Sequence, residues 1–322
     1  MQTNSKKLQI GNIMKKILVT GGAGYIGSVL IPELLKHGHE VILYDILMYE
    51  SHQVIPFFAN PRFKFIKGNI LEKEKLKKAI EGVDVVIHLA AIVGYGACRM
   101  DEARAYAVNH IGTKNVIECM TPEQYLLFGS TGSNYGSVDG ICTETSPLHP
   151  LSIYGKSKTM AEEEVMKRPN STAFRFATAF GASPRLRLDL LINELTYLAK
   201  FQKYLVVYES HFMRTFIHVR DIANVFMFAM EHCGEMKDNV YNVGSNTMNF
   251  SKKEVCEKIK AQAECYVHYA DYDGDADKRN YLVSYDKLNK LGFDTTITVD
   301  EGIAELLKAM DVLQIKIPFK NS

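Results

Sequence analysis

Eight residues near the start of the chain, Thr20-Gly21-Gly22-Ala23-Gly24-Tyr25-Ile26-Gly27, constrain its fold more than any others. They follow a short apolar run, Ile17-Leu18-Val19, and open an amphipathic stretch, so the glycines fall where a strand turns into a helix. There each has a separate use. Gly21 permits the tight turn, Gly24 lets backbone approach a pyrophosphate at the positive end of the helix, and Gly27 allows close helix packing. An ordinary turn needs no such trio, so Gly21, Gly24, Tyr25, Ile26 and Gly27 are candidates for holding a dinucleotide. Pro32 lies well inside the predicted helix and is expected to cost a hydrogen bond and bend it.

Further apolar runs follow: Val41-Ile42-Leu43-Tyr44, Phe63-Lys64-Phe65-Ile66, Val83-Asp84-Val85-Val86-Ile87 and Tyr125-Leu126-Leu127-Phe128. Segments such as 73–80 and 105–120 separate them, which reads as buried parallel strands joined by helices. The expected fold is α/β, a Rossmann-type doubly wound parallel sheet with a smaller C-terminal substrate-binding domain. The second strand ends at Asp45, eighteen residues after Gly27, where a carboxylate meets the adenosine ribose hydroxyls of a dinucleotide and favours NAD over NADP. Beyond Gly181 the pattern loosens into a helical stretch at 189–200, a strand-like Tyr204–Tyr208 and a Gly- and Asp-rich loop at 271–278. The expected division is a disordered polar extension at 1–13, an NAD-binding domain at 14–178 to which 215–243 returns, and a substrate-binding domain at 179–214 and 244–322.

Charge and composition exclude several classes. Thirty-eight Lys and Arg against 37 Asp and Glu give no basic field for nucleic acid or a membrane surface. No apolar run has the length of a membrane span, and residues 1–16 lack the hydrophobic stretch of an export signal, so a cytoplasmic protein is expected. The six cysteines are scattered, without CxxC or Cys/His spacing, and no metal is expected.

The most informative segment is Tyr154-Gly155-Lys156-Ser157-Lys158, because residues four apart share one face of a helix. A free tyrosine, with a pKa of about 10, is nearly all protonated at neutral pH, so base chemistry there requires positive charge beside it. Lys158 and a nicotinium ring supply it. Upstream, Phe128-Gly129-Ser130-Thr131-Gly132-Ser133-Asn134-Tyr135-Gly136 sets small hydroxyl residues just past a strand's carboxyl end, and Thr131 can hydrogen-bond a reacting hydroxyl.

Together these residues resemble the NAD-dependent epimerase/dehydratase family, the extended short-chain dehydrogenases that act on nucleotide sugars. The resemblance runs from Lys16 to about Leu307 and includes Gly68-Asn69-Ile70, His88-Leu89-Ala90-Ala91, Asn109 with Gly112-Thr113, Arg175-Phe176-Ala177-Thr178 and 214–223. It implies Tyr154 as acid/base, Lys158 holding the nicotinamide ribose and tuning Tyr154, and Thr131 orienting the sugar hydroxyl. It implies a cofactor site of Asp45 on the adenosine ribose, Asn69 against the adenine where the family more often has Asp, and Ile70, Leu89, Ala90, Ala91, Asn109 and Ser130 around them. For the nucleotide-sugar substrate it implies Ser133, Asn134, Thr178, Arg187 and Asn193, with Arg214 and Arg279 on the diphosphate, since a guanidinium binds phosphate oxygens bidentately.

The shared first step in such enzymes is removal of a proton from a sugar hydroxyl, usually at C4. Dehydratases of the family carry Thr-Asp-Glu where this chain has Thr131-Gly132-Ser133, which disfavours a 4,6-dehydratase. A 4-epimerase, a 4-dehydrogenase and a 4-ketoreductase remain. The stretches 181–193 and 277–284 resemble a subgroup that includes a GDP-heptose 4-dehydrogenase of capsule synthesis, while Thr178 replaces the Asn of galactose epimerases and Asn134 stands where Val is usual. A non-catalytic NAD-binding module is the alternative from another class, and intact Tyr154, Lys158 and Thr131 argue against it. No GxSxG elbow supports a hydrolase. His88 and His218 lie in strand-like runs and read as buried structural residues. The family further implies a homodimer through helices at 103–120 and 157–167.

Overall fold

The computed structural model describes residues 14–49, 51–270 and 280–313. The extension at 1–13 and the loop at 271–278 fall outside them.

Seven strands form the central sheet, and every pairing within it is parallel. Across the sheet they run Asn239–Val243, Ser171–Phe176, Tyr125–Thr131, Val85–His88, Lys16–Thr20, Glu40–Asp45 and Phe63–Lys67. The chain starts near the middle, builds outward to one side, then crosses back and builds the other way. This is the expected doubly wound order, and ligands of such sheets bind at the reversal, beyond the strands' carboxyl ends. Here the reversal lies between Lys16–Thr20 and Val85–His88.

The apolar runs are continuous because both faces of the sheet are covered. Successive residues still point to opposite sides. Ile17, Val19, Leu43, Ile87 and Leu127 join one core with Leu30, Leu34, Ile222 and Phe226 of helices Gly27–Lys36 and Val219–Glu231. Leu18, Ile42, Val86, Leu126 and Phe128 join the other with Leu76, Val116 and Val165 of helices Lys73–Ile80, Gly112–Cys119 and Ile153–Met166.

Helix Gly27–Lys36 runs through Pro32, whose ring leaves the Ser28 carbonyl without its usual i+4 donor, the cost expected of it. The structure departs from the sequence reading in two places. The fourth strand starts at Val85, and the Asp84 carboxylate just before it accepts from the Lys16 amide at 2.7 Å. The stretch 105–120 is not one helix: Glu102–Tyr106 passes into a π-helical turn at Ala107–Ile111 before Gly112–Cys119.

A further apolar cluster lies beyond the carboxyl ends. Helices Leu191–Phe201, Lys252–Lys260 and Val299–Val312 contribute Ile192, Leu195, Val255, Ile259, Ile303 and Leu306 to it, with Leu205 and Val207 from strand Tyr204–Tyr208, which pairs in parallel with Tyr266–Ala270. Ser251 and Thr298 start two of these helices with reciprocal capping, each taking the amide of the Glu three residues on, whose carboxylate takes theirs. Of the segment 215–243, helix Val219–Glu231 and strand Asn239–Val243 belong to the main layers, whereas Met213–His218 pairs with Thr178–Phe180 and Asn249–Ser251 in a small separate sheet. Two side-chain contacts tie this region to the glycine turn: the Tyr25 hydroxyl donates to the Gly181 carbonyl at 2.7 Å, and Ser28 and Ser183 meet at 2.9 Å. Among the described residues no helix is long and apolar enough to cross a membrane.

Candidate active site

Close backbone approaches shape the floor of the site. Gly21 has φ +69°, and a Cβ there would lie 2.5 Å from the Ala90 nitrogen and Cα, so glycine alone lets the turn cross the fourth strand's end. A Cβ on Gly27 would fall 2.3 Å from the Gly22 Cα, which is why the helix starts so close beneath the turn. At the end of the second strand the Asp45 carboxylate accepts from the Ala23 amide at 3.0 Å and the Leu47 amide at 2.8 Å. Burial raises its pKa, while the amides of Leu47, Ala23 and Ile46 oppose that rise. Each oxygen of this carboxylate thus takes one backbone amide beside the glycine turn.

Three strands away, Thr131 ends Tyr125–Thr131, and its hydroxyl accepts from the Ser133 amide at 3.1 Å. Counting strand spacings, Thr131 and Asp45 are about 14 Å apart across the sheet. Helix Ile153–Met166 begins at Ser152, whose hydroxyl accepts from the Gly155 amide, and this cap puts Tyr154 in the first turn with Lys158 one turn on. Lys158 is 3% exposed, and its Nζ lies 3.9 Å from the centre of the Phe128 ring. Burial pushes its pKa down to about 7, with the Glu162 carboxylate pulling the other way.

A single cleft of about 640 Å³ gathers most of the expected residues. Gly21, Gly24, Tyr25, Ile26, Gly27, Asp45, Asn69, Ile70, Leu89, Ala90, Ala91, Ser130, Thr131, Ser133, Tyr154, Lys158, Thr178, Arg187 and Arg214 all line it. Arg279 lies outside the described residues.

Three asparagines do not line it. Asn134 is fully buried, and its amide nitrogen donates to Ser130 Oγ at 3.3 Å and to a Glu162 oxygen at 3.2 Å. Asn193 accepts from the Gly181 amide and donates to the Arg187 carbonyl, bracing the two loops that bound the cleft. Asn109, in the π turn, accepts from the Ile92 amide at 2.7 Å and donates to the Ile92 carbonyl and to Ser157 Oγ. Asn109 and Asn193 satisfy backbone groups and Asn134 reaches a hydroxyl and a carboxylate, and those uses turn them away from the cleft.

Glu162, which the sequence reading did not single out, sits under the site. It accepts from Ser130 Oγ at 2.5 Å, from Asn134, and from Arg175 Nε and Nη2 at 3.1 and 2.6 Å. Ser130 and Asn134 flank Thr131 and Ser133, so this carboxylate pins the strand end that carries Thr131 to the helix that carries Tyr154. The Tyr-Lys-Glu spacing on one helix face was the available signal.

The far part of the cleft is charged. Arg187 pairs with Asp189 at 2.6 Å, Arg185 lies over the Tyr49 ring, and the nearly buried Lys252 donates to the Tyr208 carbonyl at 2.6 Å. With Glu194, Arg214 and Tyr281 they line the same space. No local motif marks Lys252; it reaches the cleft because Phe250 pairs with Arg214. Among the described residues no three His, Cys, Asp or Glu side chains are grouped to hold a metal ion.

Compared with known proteins, residues 17–244 match the model of the NAD dependent epimerase/dehydratase family. The chain belongs to this family. Its relatives include a UDP-glucose 4-epimerase of Lactobacillus helveticus, 28% identical over 271 residues that cover 76% of this chain and 81% of the relative. Among solved structures, the UDP-Glc/GlcNAc 4-epimerase of Campylobacter jejuni is 27% identical with a TM-score of 0.79, covering 92% of this chain and 99% of that one. The dTDP-glucose 4,6-dehydratase of Bacillus anthracis, solved in complex with NAD, is 27% identical with a TM-score of 0.80, covering 92% and 96%. NAD is the cofactor of the family, and the residues here fit it. The glycine turn leaves room for a pyrophosphate at a helix start, and Asp45 offers acceptors to ribose hydroxyls where a 2′-phosphate would meet a carboxylate.

Proposed function

We propose that this member of the epimerase/dehydratase family oxidises a sugar hydroxyl of a nucleotide sugar, at C4, as a 4-dehydrogenase or 4-epimerase. The observation that carries the reading is the convergence of Thr131, Tyr154 and Lys158 on the same cleft that Asp45 and the glycine turn line. When bound, NAD supplies the two-electron acceptor. Thr131 hydrogen-bonds the sugar hydroxyl, and Tyr154 takes its proton on the phenolic oxygen. The Lys158 ammonium stabilises the phenolate that this requires, and the Phe128 ring and the burial around Lys158 keep water from screening it. Arg214, and Lys252 near it, face the substrate's diphosphate. Gly132 and Ser133 follow Thr131 where an elimination needs its own acid and base, which speaks against 4,6-dehydration.

The enzyme acts as a cytoplasmic homodimer in this reading. Its support is that all six cysteines are free thiols and that Tyr106, Ile111 and Met160, on mutually packed helical segments, expose large apolar surface.

The test is to incubate the purified chain and NAD with UDP-, GDP-, CDP- and dTDP-sugars, heptoses included, and to identify products by NMR. A 4-inverted sugar without net NADH establishes the epimerase, and a 4-keto product with NADH the dehydrogenase. Reaction only of a keto sugar with NADH turns the reading into a ketoreductase. Tyr154→Phe is expected to lower turnover by about 10²–10⁴-fold with NAD affinity nearly unchanged; full activity in that variant would overturn the mechanism.

A further inference from the structure

A buried histidine joins the floor of the site to its catalytic helix. The imidazole of His88 is 1% exposed and lies between two threonines, with Thr20 Oγ1 at 2.6 Å from Nδ1 and Thr113 Oγ1 at 3.0 Å from Nε2. The proton positions follow by elimination. Thr113 spends its only hydroxyl hydrogen on the Asn109 carbonyl at 2.6 Å, so it accepts from His88 and Nε2 carries a proton. Thr20 Oγ1 accepts from the Ala90 amide at 3.3 Å, and Nδ1, at 2.6 Å, is the acceptor within reach of its own hydrogen. Nδ1 is therefore an acceptor, and the ring is neutral.

The chain of contacts continues at both ends. Ala90 forms the floor against which Gly21 packs without a Cβ. On the other side, Asn109 donates to Ser157 Oγ at 3.0 Å, and Ser157 donates to the Tyr154 carbonyl at 3.1 Å. We propose that His88 is a positioning residue, a neutral imidazole protonated on Nε2 that fixes the distance between the cofactor floor at Ala90 and the helix turn that carries Tyr154. This rests on the reading of the cleft as a Tyr-Lys dehydrogenase site. Burial in this low-dielectric position lowers the pKa of His88 to about 3, with the nearby Lys158 charge adding to the effect. A ring of this kind keeps one tautomer through the working pH range, whereas an imidazole that gained a proton would reverse the Thr20 bond and leave the Thr20 hydroxyl hydrogen without its acceptor.

The test uses the full chain with bound NAD, labelled with ¹⁵N-histidine and ¹³C-tyrosine, with His88→Gln and Tyr154→Phe to assign signals. His88 is expected to show one protonated and one bare nitrogen, Nε2 being the protonated one, unchanged from about pH 5 to about pH 8. Thr113→Val removes the hydroxyl between His88 and Asn109 at nearly constant volume. It is expected to shift the Tyr154 ring signals and lower kcat about tenfold while KM and NAD affinity stay within about threefold; Thr113→Ser restores both. A proton on Nδ1, titration of the ring above about pH 5, or Tyr154 signals unmoved in folded Thr113→Val would each overturn the proposal. If the wild-type chain turned over no nucleotide sugar, the functional reading would fall alone, and the NMR signals would still decide the role of His88.

Discussion

Lys158 is a cation with little water around it, and Glu162, the carboxylate one turn further along its helix, is already held by Arg175. Burial therefore dominates, and the amine titrates near pH 7 instead of its ordinary 10.5. The consequence for stability has a definite sign. Below about pH 7 the ammonium is present in folded and unfolded chains alike, and the folded state bears its full desolvation cost. As pH rises from about 7 to about 10, the folded state sheds a proton that the unfolded chain keeps, so the folded state gains stability. Lys158→Met removes the group and its dependence. In the NAD-free protein this variant is expected to melt a few degrees above wild type at about pH 6, with the gap closing by about pH 10. A constant gap across that range, read by calorimetry, would show that burial does not set the charge state of this residue.

At the scale of elements, the site depends on how strand Tyr125–Thr131 is joined to helix Ile153–Met166. Glu162 is the join: one carboxylate takes hydrogen bonds from Ser130 and Asn134 at the strand end and is neutralised by Arg175 from the next strand. Arg175 also donates to Tyr135, whose hydroxyl donates to Asn242. Glu162→Gln leaves the Arg175 guanidinium buried without a counter-charge and is expected to destabilise the protein by about 3–5 kcal/mol in urea unfolding. Glu162→Gln with Arg175→Met removes both charges and is expected to recover about half of that loss. Equal losses in the single and double variants would mean that the pair is not coupled.

For the whole molecule, the cleft is bounded by the sheet's carboxyl ends and by the apolar cluster beyond them, which the Tyr25–Gly181 and Ser28–Ser183 contacts tie to the glycine turn. On the outside, Tyr106, Ile111 and Met160 present apolar side chains from helical segments that pack on one another. The proposed homodimer uses this surface. Light scattering at micromolar concentration is expected to give twice the chain mass, and Ile111→Asp with Met160→Asp is expected to give the monomer. A wild-type monomer would remove the proposal.

Much of this was written in local sequence. Most of the glycine turn is local, because the positive φ of Gly21 and the absent Cβ of Gly27 are demands of backbone geometry within a few residues, and only the close pass of Gly21 over Ala90 is tertiary. The continuous apolar runs announced strands covered on both faces, and the four-residue spacing of Tyr154 and Lys158 already put them on one helix face. What only the tertiary structure decided was where short polar side chains turn. Asn109, Asn134 and Asn193 read as ligand contacts, but backbone groups engage Asn109 and Asn193, and a buried carboxylate takes the Asn134 amide nitrogen. Lys252 came to the cleft through a strand pairing with no local trace. The fourfold use of Glu162 and the tautomer of His88 depend on partners between 13 and 68 residues away, and a hydrogen bond of that kind is set by packing, which periodicity cannot encode.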